Sequence, residues 1–369
     1  MLAVYDDDDC AFDHFARLTQ EEDGSVMRFC TFRVPGGGVR AGWLQDDTLV
    51  VDMHVASQGQ LPQTMMEFLS DAEENLQRTQ AMADSLKGSL SGNMSSQASS
   101  DGHGTGQDGV YLLSEIQLLP PLPRPSSLRD FYAFEAHVKT ARKNRGLEMV
   151  PQWYEFPAFY FSNHQAVLGP EAQVDIPPGC RWFDYELEIA CVIGRKGQNI
   201  PPEEAHAYIF AYTIMNDWSA RDVQREEMKV GLGPAKGKDF ATSLGPWLVT
   251  PDELERFGAA REEDTDSSLD VGEVTSRFGK RYNLSMTASV NGRVLSKGNY
   301  RDVYFAFEEM IAHASRGVTL YPGDVIGSGT VGTGCILELG PTVHRWLEPG
   351  DVVELHIDGL GTLRNTVKG

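Results

Sequence analysis

The sequence contains no uninterrupted apolar run of about 18 residues, the length that a membrane-spanning helix needs. It also lacks the pattern of a secretory leader, because the opening residues are followed by the acidic run 6–9 instead of a basic stretch and an apolar core. These absences argue against export and against a membrane partner. We therefore expect a soluble protein of the cytoplasm.

Positive charge is scarce: 32 Lys and Arg residues stand against 53 Asp and Glu residues, which gives a formal net charge of -21 at pH 7. Binding to nucleic acid depends on cations that replace the counterions of the phosphates, so this balance argues against a nucleic-acid partner. Residues 1–26 alone carry eight acids and the single base Arg17. We interpret them as an acidic N-terminal extension.

Cysteine is also sparse, and no Cys-x-x-Cys pair occurs. The five cysteines are widely separated: Cys10, Cys30, Cys180, Cys191 and Cys335. An odd number at such spacings argues against a disulfide framework and against a zinc site. Reduced thiols in a cytosolic protein are the expected state.

Apolar residues make up 41% of the chain, enough for the core of one large or two modest domains. Residues 27–87 alternate like strands and then carry a capping box, Thr64 with Glu67, which predicts a helix start in a small N-terminal domain. Residues 88–109 are nearly all small or polar, which predicts a flexible linker. Residues 110–369 are dominated by short strands with peripheral helices. The predicted fold class is α+β, mainly β, and helices of the larger domain are expected near residues 130–142, 203–211 and 304–314.

The most informative segment, residues 183–194, places two carboxylates on one strand. Side chains alternate across a strand, so Glu186 and Glu188 share a face that continues as Ala190 and Val192. Because the continuation is apolar, we expect the carboxylates at the rim of a buried cleft and not on a solvent face. Two ionised carboxylates held together there cost several kcal/mol, roughly, unless a cation compensates them. The pattern therefore predicts a bound metal.

Four further sequence features contribute polar residues. Asp130 precedes His137 by seven positions. Asp217, Arg221 and Gln224 have helical spacing, which predicts that they project from one helix face toward one site. Two later blocks, residues 237–242 and 322–330, add Lys238 and a Gly-rich segment, and the second runs into an apolar, strand-like stretch that contains Glu338.

Taken in order, these blocks resemble the fumarylacetoacetate hydrolase family over most of residues 110–369. The matching motifs are Glu-x-Glu, Asn-Asp-Trp-Ser-Ala-Arg-Asp-x-Gln, Gly-Lys-x-Phe-x-Thr and Pro-Gly-Asp-x-Ile-x-x-Gly-Thr. The resemblance implies a mixed β-sandwich and roll catalytic domain at 110–369, preceded by the small N-terminal domain of bacterial-type members. It also implies a homodimer.

The resemblance implies a role for each polar residue. The residues carried over as ligands of a divalent metal are Asp130, Glu186, Glu188 and Asp217. Their hard oxygen donors suit Mg²⁺, Ca²⁺ or Mn²⁺. His137 is carried over as the base that activates water, with Glu338 as the carboxylate that orients it. The remaining residues are carried over as groups that contact the substrate or its developing oxyanion: Arg221, Gln224, Lys238, Gly329, Thr330, Tyr132 and Tyr160.

The implied reaction is metal-dependent hydrolysis of a carbon–carbon bond in a small dicarbonyl acid, such as fumarylacetoacetate or an acylpyruvate. Water attack on one carbonyl and departure of an enolate both place negative charge on oxygen, which a metal, Arg221 and Lys238 would stabilise. The alternative is decarboxylation, hydration or isomerisation of a 2-keto acid by the same metal site. A third possibility is a catalytically silent scaffold, although all the site residues are present.

Two departures from the family pattern bear on these alternatives. Many small members carry a carboxylate three residues after the catalytic histidine, where this chain has Thr140. The partner of His137 would then be Glu338, as in the hydrolase branch. A lysine that many short members use to bind substrate is replaced by Asn163, which leaves the identity of the substrate open.

Overall fold

The computed structural model describes residues 27–34, 36–93, 109–258, 278–340 and 342–369, with only the backbone at 88–93. The acidic extension predicted at 1–26 lies outside the described residues. No helix within these ranges is both long enough and apolar enough to cross a membrane.

The strands dominate, as the sequence predicts. In chain order they are β1 (Arg28–Arg33), β2 (Val39–Leu44), β3 (Leu49–Asp52), β4 (Val110–Leu112), β5 (Gln117–Leu119), β6 (Ser127–Phe131), β7 (Phe159–Phe161), β8 (Val167–Leu168), β9 (Gln173–Asp175), β10 (Phe183–Asp184), β11 (Leu187–Ile193), β12 (Gly197–Gln198), β13 (Ile209–Asp217), β14 (Ser219–Ala220), β15 (Thr242–Val249), β16 (Ser285–Val290), β17 (Arg293–Asn299), β18 (Thr319–Leu320), β19 (Asp324–Gly327), β20 (Val352–Ile357) and β21 (Gly361–Lys368).

The α-helices lie at the periphery and are mostly short. They are α1 (Met53–Ala56), α2 (Met65–Leu69), α3 (Ala72–Asn93), α4 (Glu135–Lys143), α5 (Pro202–Ala205), α6 (Arg221–Met228), α7 (Pro251–Glu255), α8 (Phe307–Ala314) and α9 (Ile336–Leu339). Single 3-10 turns occur at Leu113–Glu115, Pro151–Tyr154, His206–Tyr208 and Tyr300–Asp302.

One large sheet organises the molecule, with the order β4-β3-β2-β1-β15-β13-β11-β19-β6-β7, β5 beside β1 and β8 beside β15. A second sheet has the order β17-β16-β20-β21-β9. Residues 27–87 therefore add their strands to the sheet of the larger region, since Phe29 of β1 pairs with Leu248 of β15.

The two faces of the large sheet are buried in two different cores. On one face the odd-numbered residues of β11, such as Ile189, pack in the same core as Leu355 of the second sheet. On the other face Ala190 and Val192 pack in the core that contains Phe68 of α2. The layers are thus the second sheet, the large sheet and the N-terminal helices. This arrangement confirms the mainly β fold and the buried surroundings predicted for the glutamate face.

Several element boundaries differ from the sequence-based predictions. Thr64 does begin a helix, and its hydroxyl accepts the backbone N–H of Glu67 at 3.3 Å, but the helix ends at Leu69 and α3 follows separately. That helix continues to Asn93, so the first six residues of the predicted linker are helical. The remainder of that linker, except Gly109, lies outside the described residues.

Three segments have a different secondary structure from the one predicted. Asp130 lies on β6 and not on a helix, because the chain stays extended through Phe131 and turns helical only at Glu135. The helix expected at 203–211 ends at Ala205, a 3-10 turn follows at His206–Tyr208, and β13 begins at Ile209. The strand expected at 335–339 is instead the one-turn helix α9, whose first two N–H groups donate to the Asp184 side chain.

Candidate active site

Four buried carboxylates converge where neighbouring strands of the large sheet end. Asp130 comes from β6 and Glu188 from β11, two strands that flank β19. Glu186 lies in the connection between β10 and β11, and Asp217 is the last residue of β13, the other neighbour of β11. Adjacent strands lie about 5 Å apart, so residues at their ends necessarily meet. The spacing predicted that Asp217, Arg221 and Gln224 share one helix face. This prediction is wrong for Asp217, because the helix begins only at Arg221.

The carboxylate oxygens are close enough to share one ion. One oxygen from each of the four residues lies within 4.8 Å of those from the other three. All four residues are at most 4% exposed. Within the described residues, neither Oε2 of Glu188 nor Oδ1 of Asp217 has a hydrogen-bond partner, although both atoms are buried. Such unpaired oxygens are costly unless a cation binds them.

The pKa shifts follow from this crowding. Burial raises the pKa of Glu188, and the carboxylates of Asp130 and Glu186 raise it further. Burial and Asp217 likewise raise the pKa of Asp130. Burial alone would raise the pKa of Glu186 too, but Arg221 and Lys238 outweigh it and hold that pKa well below its usual value. The cluster therefore holds more negative charge than its surroundings compensate.

Two buried cations border the cluster. Nζ of Lys238 donates to Oδ2 of Asp217 at 2.6 Å and also to Oε2 of Glu186. Nη2 of Arg221 donates to Oε1 of Glu186 at 2.8 Å, and Nη1 donates to Oε1 of Gln224 at 3.2 Å. Against four carboxylates these two cations leave at least two negative charges uncompensated. The donor set is all hard oxygen, and the charge deficit matches a divalent cation, so the residues present fit Mg²⁺, Ca²⁺ or Mn²⁺.

His137 and Glu338 form a hydrogen-bonded pair. Nδ1 of His137, on α4, lies 2.6 Å from Oε1 of Glu338, on α9, and both side chains are almost fully buried. Oε2 of Glu338 accepts the backbone N–H of Thr333 at 3.1 Å, and the Cys335 thiol donates to Oε1 at 3.6 Å. Because Nδ1 faces the carboxylate, the neutral ring keeps its proton there and Nε2 is left as the basic atom. The predicted contact between His137 and Glu338 is thus present, but Glu338 lies on the helix α9 and not on the expected strand.

The other predicted contact residues mostly support the carboxylates. The Tyr160 hydroxyl donates to Oδ2 of Asp217 at 2.6 Å. The N–H of Gly329 donates to Asp130 at 3.2 Å, and the hydroxyl of Thr330 donates to Glu188 at 3.3 Å. Gly329 has a φ of +78°, and a Cβ there would lie 2.4 Å from a backbone oxygen, so only glycine fits. The ring of Tyr132 packs edge-on against His137 with centroids 5.3 Å apart, and burial raises the pKa of Tyr132 to about 12.

Sequence comparison places this arrangement in a known family. Residues 127–368 match the family model described as fumarylacetoacetate (FAA) hydrolase C-terminal. The chain belongs to the fumarylacetoacetate hydrolase family. The matched range contains all four carboxylates, Lys238 and the His137–Glu338 pair.

Relatives in the fumarylacetoacetate hydrolase family differ in how much of the chain they match. Fumarylacetoacetase of Arabidopsis thaliana is 30% identical over 284 residues, which cover 65% of this chain and 66% of the plant protein. Fumarylacetoacetase of Bos taurus is 31% identical over 253 residues, 60% of either chain. Mitochondrial oxaloacetate tautomerase of Xenopus laevis is 30% identical over 333 residues, 88% of this chain and 84% of that protein. The chain therefore spans less than two thirds of these two fumarylacetoacetases.

Solved structures of the family share the fold. Fumarylacetoacetate hydrolase of Exiguobacterium antarcticum superposes with a TM-score of 0.63 at 22% identity, covering 93% of this chain and 99% of that one. Maleylpyruvate hydrolase of Sphingobium gives 0.61 at 22% identity, with the same two coverages. 5-Carboxymethyl-2-hydroxymuconate delta-isomerase of Mycobacterium smegmatis gives 0.58 at 23% identity over 93% and 99%. Enzymes of this family thus catalyse more than one type of reaction, and they commonly depend on a divalent metal.

Sequence reasoning missed two residues that hold the family's motifs in place. Asp184 is fully buried and accepts hydrogen bonds from Arg221 and from the start of α9. The side-chain oxygen of Asn216 accepts the backbone N–H of Glu186 at 2.9 Å and fixes the connection that carries this glutamate. Both residues sit beside motif carboxylates, and an acidic or amide side chain within a buried strand segment is the signal that could have identified them.

Neutralising Glu188 should stabilise the metal-free protein. Its folded-state pKa is raised, so folding opposes ionisation, and this cost grows as pH rises above the unfolded pKa of about 4.3. At pH 7 we expect Glu188→Gln to raise the Tm of the metal-free protein by a few degrees, because the buried charge is removed. Calorimetric titration with Ca²⁺ or Mg²⁺ should show an affinity at least about tenfold lower, because one of the four carboxylates that could hold the ion is lost.

Glu308→Gln is the matched control for this prediction. Glu308 is also buried, at 4% exposure, but it accepts the backbone N–H of Lys280 and lies outside the cluster. We expect this variant to bind the metal as the wild type does. A metal-free Glu188→Gln protein that melts below the wild type would contradict the unfavourable burial of this charge. A variant that keeps wild-type affinity would contradict a role of Glu188 in holding the ion.

Proposed function

We propose that this family member is a metal-dependent hydrolase that cleaves the carbon–carbon bond between two carbonyls of a small β-diketone acid, such as fumarylacetoacetate or an acylpyruvate. One observation carries the proposal: a buried His137–Glu338 pair with a 2.6 Å contact. Enolisation of a keto acid needs proton transfer at carbon, whereas hydrolysis also needs an activated water. A histidine oriented by a carboxylate is suited to that second task.

The reaction balances with water as the only co-substrate. The water oxygen forms a bond to the carbonyl carbon while Nε2 of His137 takes the water proton. The carbon–carbon bond then breaks, and its electron pair passes to the departing fragment as an enolate. The histidinium returns the proton to the enolate carbon, which yields a carboxylic acid and a methyl ketone. The Glu338 carboxylate stabilises the histidinium through its contact with Nδ1. General acid–base catalysis by a positioned histidine contributes about 10²–10⁴-fold.

Lys238 and Arg221 retain donors for the developing oxyanion. An ammonium has three N–H donors, and Lys238 uses two of them on Glu186 and Asp217. A guanidinium has five, and Arg221 uses three, one of them on Gln224. Both side chains are buried and held by hydrogen bonds to their neighbours, and preorganised donors stabilise charge most in a dry site.

The metal would be held by the four carboxylates already described, with Mg²⁺ or Ca²⁺ as first candidates and Mn²⁺ as a third. When bound, it supplies a Lewis acid that polarises carbonyl oxygens. We further propose that Gln224 and Tyr132 face the substrate beside the base. The hydrogen bonds of Tyr160, Gly329 and Thr330 support a role in orienting the carboxylates that would hold the metal. We propose that these three residues also contact the substrate.

A second candidate is tautomerisation of a 2-keto acid, within the broader alternative of a keto acid decarboxylase, hydratase or isomerase. The supporting observation is the match with the Xenopus laevis oxaloacetate tautomerase, which covers 88% of this chain. That reaction needs only proton removal and return at carbon. It would use the metal site, and changes at Glu338 would then lower turnover less than they would for hydrolysis.

A substrate panel separates the two candidates. Purified enzyme with Mg²⁺, Ca²⁺ or Mn²⁺ should consume acylpyruvates or fumarylacetoacetate with loss of the enol absorbance, and should form one acid and one ketone per turnover. Chelation with EDTA should abolish turnover, and added metal should restore it. Enol–keto conversion of oxaloacetate without any cleavage product would contradict hydrolysis and favour the second candidate.

We also propose that the protein is a cytoplasmic homodimer. Four cysteines, Cys30, Cys180, Cys191 and Cys335, are free thiols, which suits a reducing compartment such as the cytoplasm.

The proposed homodimer rests on a different observation. The segment after α6 exposes apolar side chains, Val230 at 80% and Leu232 at 93%. Adjacent exposed apolar residues of this kind are typical of contacts between subunits.

A further inference from the structure

Asp184 is a fully buried carboxylate that receives three strong donors from two different elements. Its Oδ1 accepts the backbone N–H of Ile336 at 2.8 Å. Its Oδ2 accepts the N–H of Leu337 at 3.0 Å and Nε of Arg221 at 2.8 Å. Each carboxylate oxygen thus has at least one donor, and the residue is 0% exposed.

The two backbone donors belong to α9, the helix that carries Glu338. The residue preceding α9, Cys335, makes no capping hydrogen bond, so Asp184 performs that function from a distant strand. Glu338 is the next residue after Leu337, and its carboxylate must meet Nδ1 of His137 at 2.6 Å. The position of the Glu338 backbone therefore depends on Asp184.

The third donor connects Asp184 to the metal-binding half of the site. While Nε of Arg221 binds Asp184, Nη2 of the same guanidinium binds Glu186 at 2.8 Å. The pairing of β10 with β14 places Asp184 opposite Ser219, two residues before Arg221, so backbone hydrogen bonds also hold these groups together. A continuous series of buried polar contacts thus runs from the carboxylate cluster through Arg221 and Asp184 to α9.

We propose that Asp184 is a positioning residue that fixes the catalytic pair relative to the carboxylate cluster, by holding α9 and Arg221 with one carboxylate. This inference rests on the proposed function, because it assigns His137 and Glu338 to the base. The competing interpretation is a buried ion pair that contributes only to stability. The two differ in what happens to the His137–Glu338 contact when Asp184 changes while the fold is kept.

Asp184→Asn is the appropriate substitution because it keeps the shape and changes the hydrogen bonding. The amide NH₂ must replace one oxygen, and at either position it would face N–H donors of α9 or Arg221 and could not accept from them. We expect kcat to fall by about ten- to thirtyfold, with KM within about threefold, because a small displacement of a catalytic pair costs rate more than binding. Calorimetric metal affinity should remain within about threefold of the wild type.

Asp52→Asn is the matched control. Asp52 is also fully buried, caps α1 through the N–H groups of His54 and Val55 at 3.0 and 3.1 Å, and lies 3.5 Å from Nε of Arg40. It has the same chemistry as Asp184 in the N-terminal part of the chain. This variant should lose stability and keep its kcat. Equal losses of kcat in both variants would overturn the proposal.

A double mutant tests whether Asp184 acts through the pair. In a Glu338→Gln background, the additional change Asp184→Asn should lower kcat by less than about threefold, since the contact it positions has already been weakened. If the decrease in kcat of the double variant equals the product of the two single-variant decreases, Asp184 and Glu338 act independently. That result would overturn the proposal that Asp184 acts through the pair.

Proton NMR tests the positioning without turnover. The proton shared by His137 and Glu338 should give a far-downfield resonance, assigned by its loss in His137→Asn. We expect Asp184→Asn to shift or broaden this resonance, and Asp52→Asn to leave it in place. An unchanged resonance in Asp184→Asn would overturn the proposal. If the wild type hydrolyses none of the test compounds, the proposed function fails, and this measurement still decides the role of Asp184.

Discussion

Replacing His137 with asparagine should lower kcat for carbon–carbon cleavage by about 10²–10⁴-fold, the usual contribution of a positioned general base. Asparagine retains an amide that can donate to Glu338, so the fold of α4 and α9 should be preserved. It has no basic nitrogen to take the proton from water. The metal affinity should not change, since His137 contributes no atom to the carboxylate cluster. Steady-state kinetics together with metal titration check both statements.

His54→Asn provides the comparison. Nδ1 of His54 lies 2.9 Å from the carbonyl oxygen of Leu61, so this histidine is also held by a hydrogen bond, but in the N-terminal part of the chain. It should keep wild-type kcat. A His137→Asn enzyme that retains more than about a tenth of the wild-type kcat would show that water is activated by another group.

Substituting methionine for Lys238 should lower kcat by about 10²–10³-fold, the loss typical of removing one oriented donor to an oxyanion. The side chain is 4% exposed, and burial would lower its pKa, but Asp217 and Glu186 outweigh burial and raise the pKa of Lys238. The two carboxylates thus favour the charged ammonium over the neutral amine. Methionine has a similar length without charge, so the loss reflects electrostatics more than packing.

The same substitution should also change stability in a metal-dependent way. Without Lys238, Glu186 and Asp217 lose a buried counter-charge, and breaking such a pair costs about 3–5 kcal/mol. Thermal unfolding of the metal-free variant should therefore occur well below that of the wild type, and added Ca²⁺ should recover more Tm than in the wild type. Lys236→Met is the control, because Lys236 is 73% exposed and pairs with Asp239 at the surface. Unchanged turnover in Lys238→Met would remove the lysine from the proposed mechanism.

The sequence predicted which polar residues lie together, because these residues come in short motifs with a recognisable order. Glu186 and Glu188 converge as their spacing predicts, and their apolar continuation at Ala190 and Val192 is buried. The His137–Glu338 contact is also present, although the two residues are 201 positions apart.

Local pattern was a poor guide where tertiary pairing decides the conformation. The spacing of Asp217, Arg221 and Gln224 satisfies a helix, yet Asp217 is held in β13 by its pairing with Thr242 of β15. Glu338 lies in a run of apolar residues that reads as a strand, but α9 is stabilised by Asp184, which no local pattern connects to it. Such tertiary contacts override the helix and strand propensities of individual residues.

The long-range pairing of the large sheet has a consequence for how the chain folds. The N–H of Met27 donates to the hydroxyl of Thr250, which is 223 residues away, and Asp324 of β19 pairs with Ser127 of β6 across 197 residues. Proteins dominated by such distant contacts fold slowly, because the chain between two contacting residues loses conformational entropy before the contact stabilises it. During synthesis, β1 leaves the ribosome long before β15 exists, and α4 before α9. The apolar side chains of β1 therefore remain partly exposed until β15 has been synthesised, and exposed apolar surface promotes aggregation. The site is complete only after α9 has been synthesised.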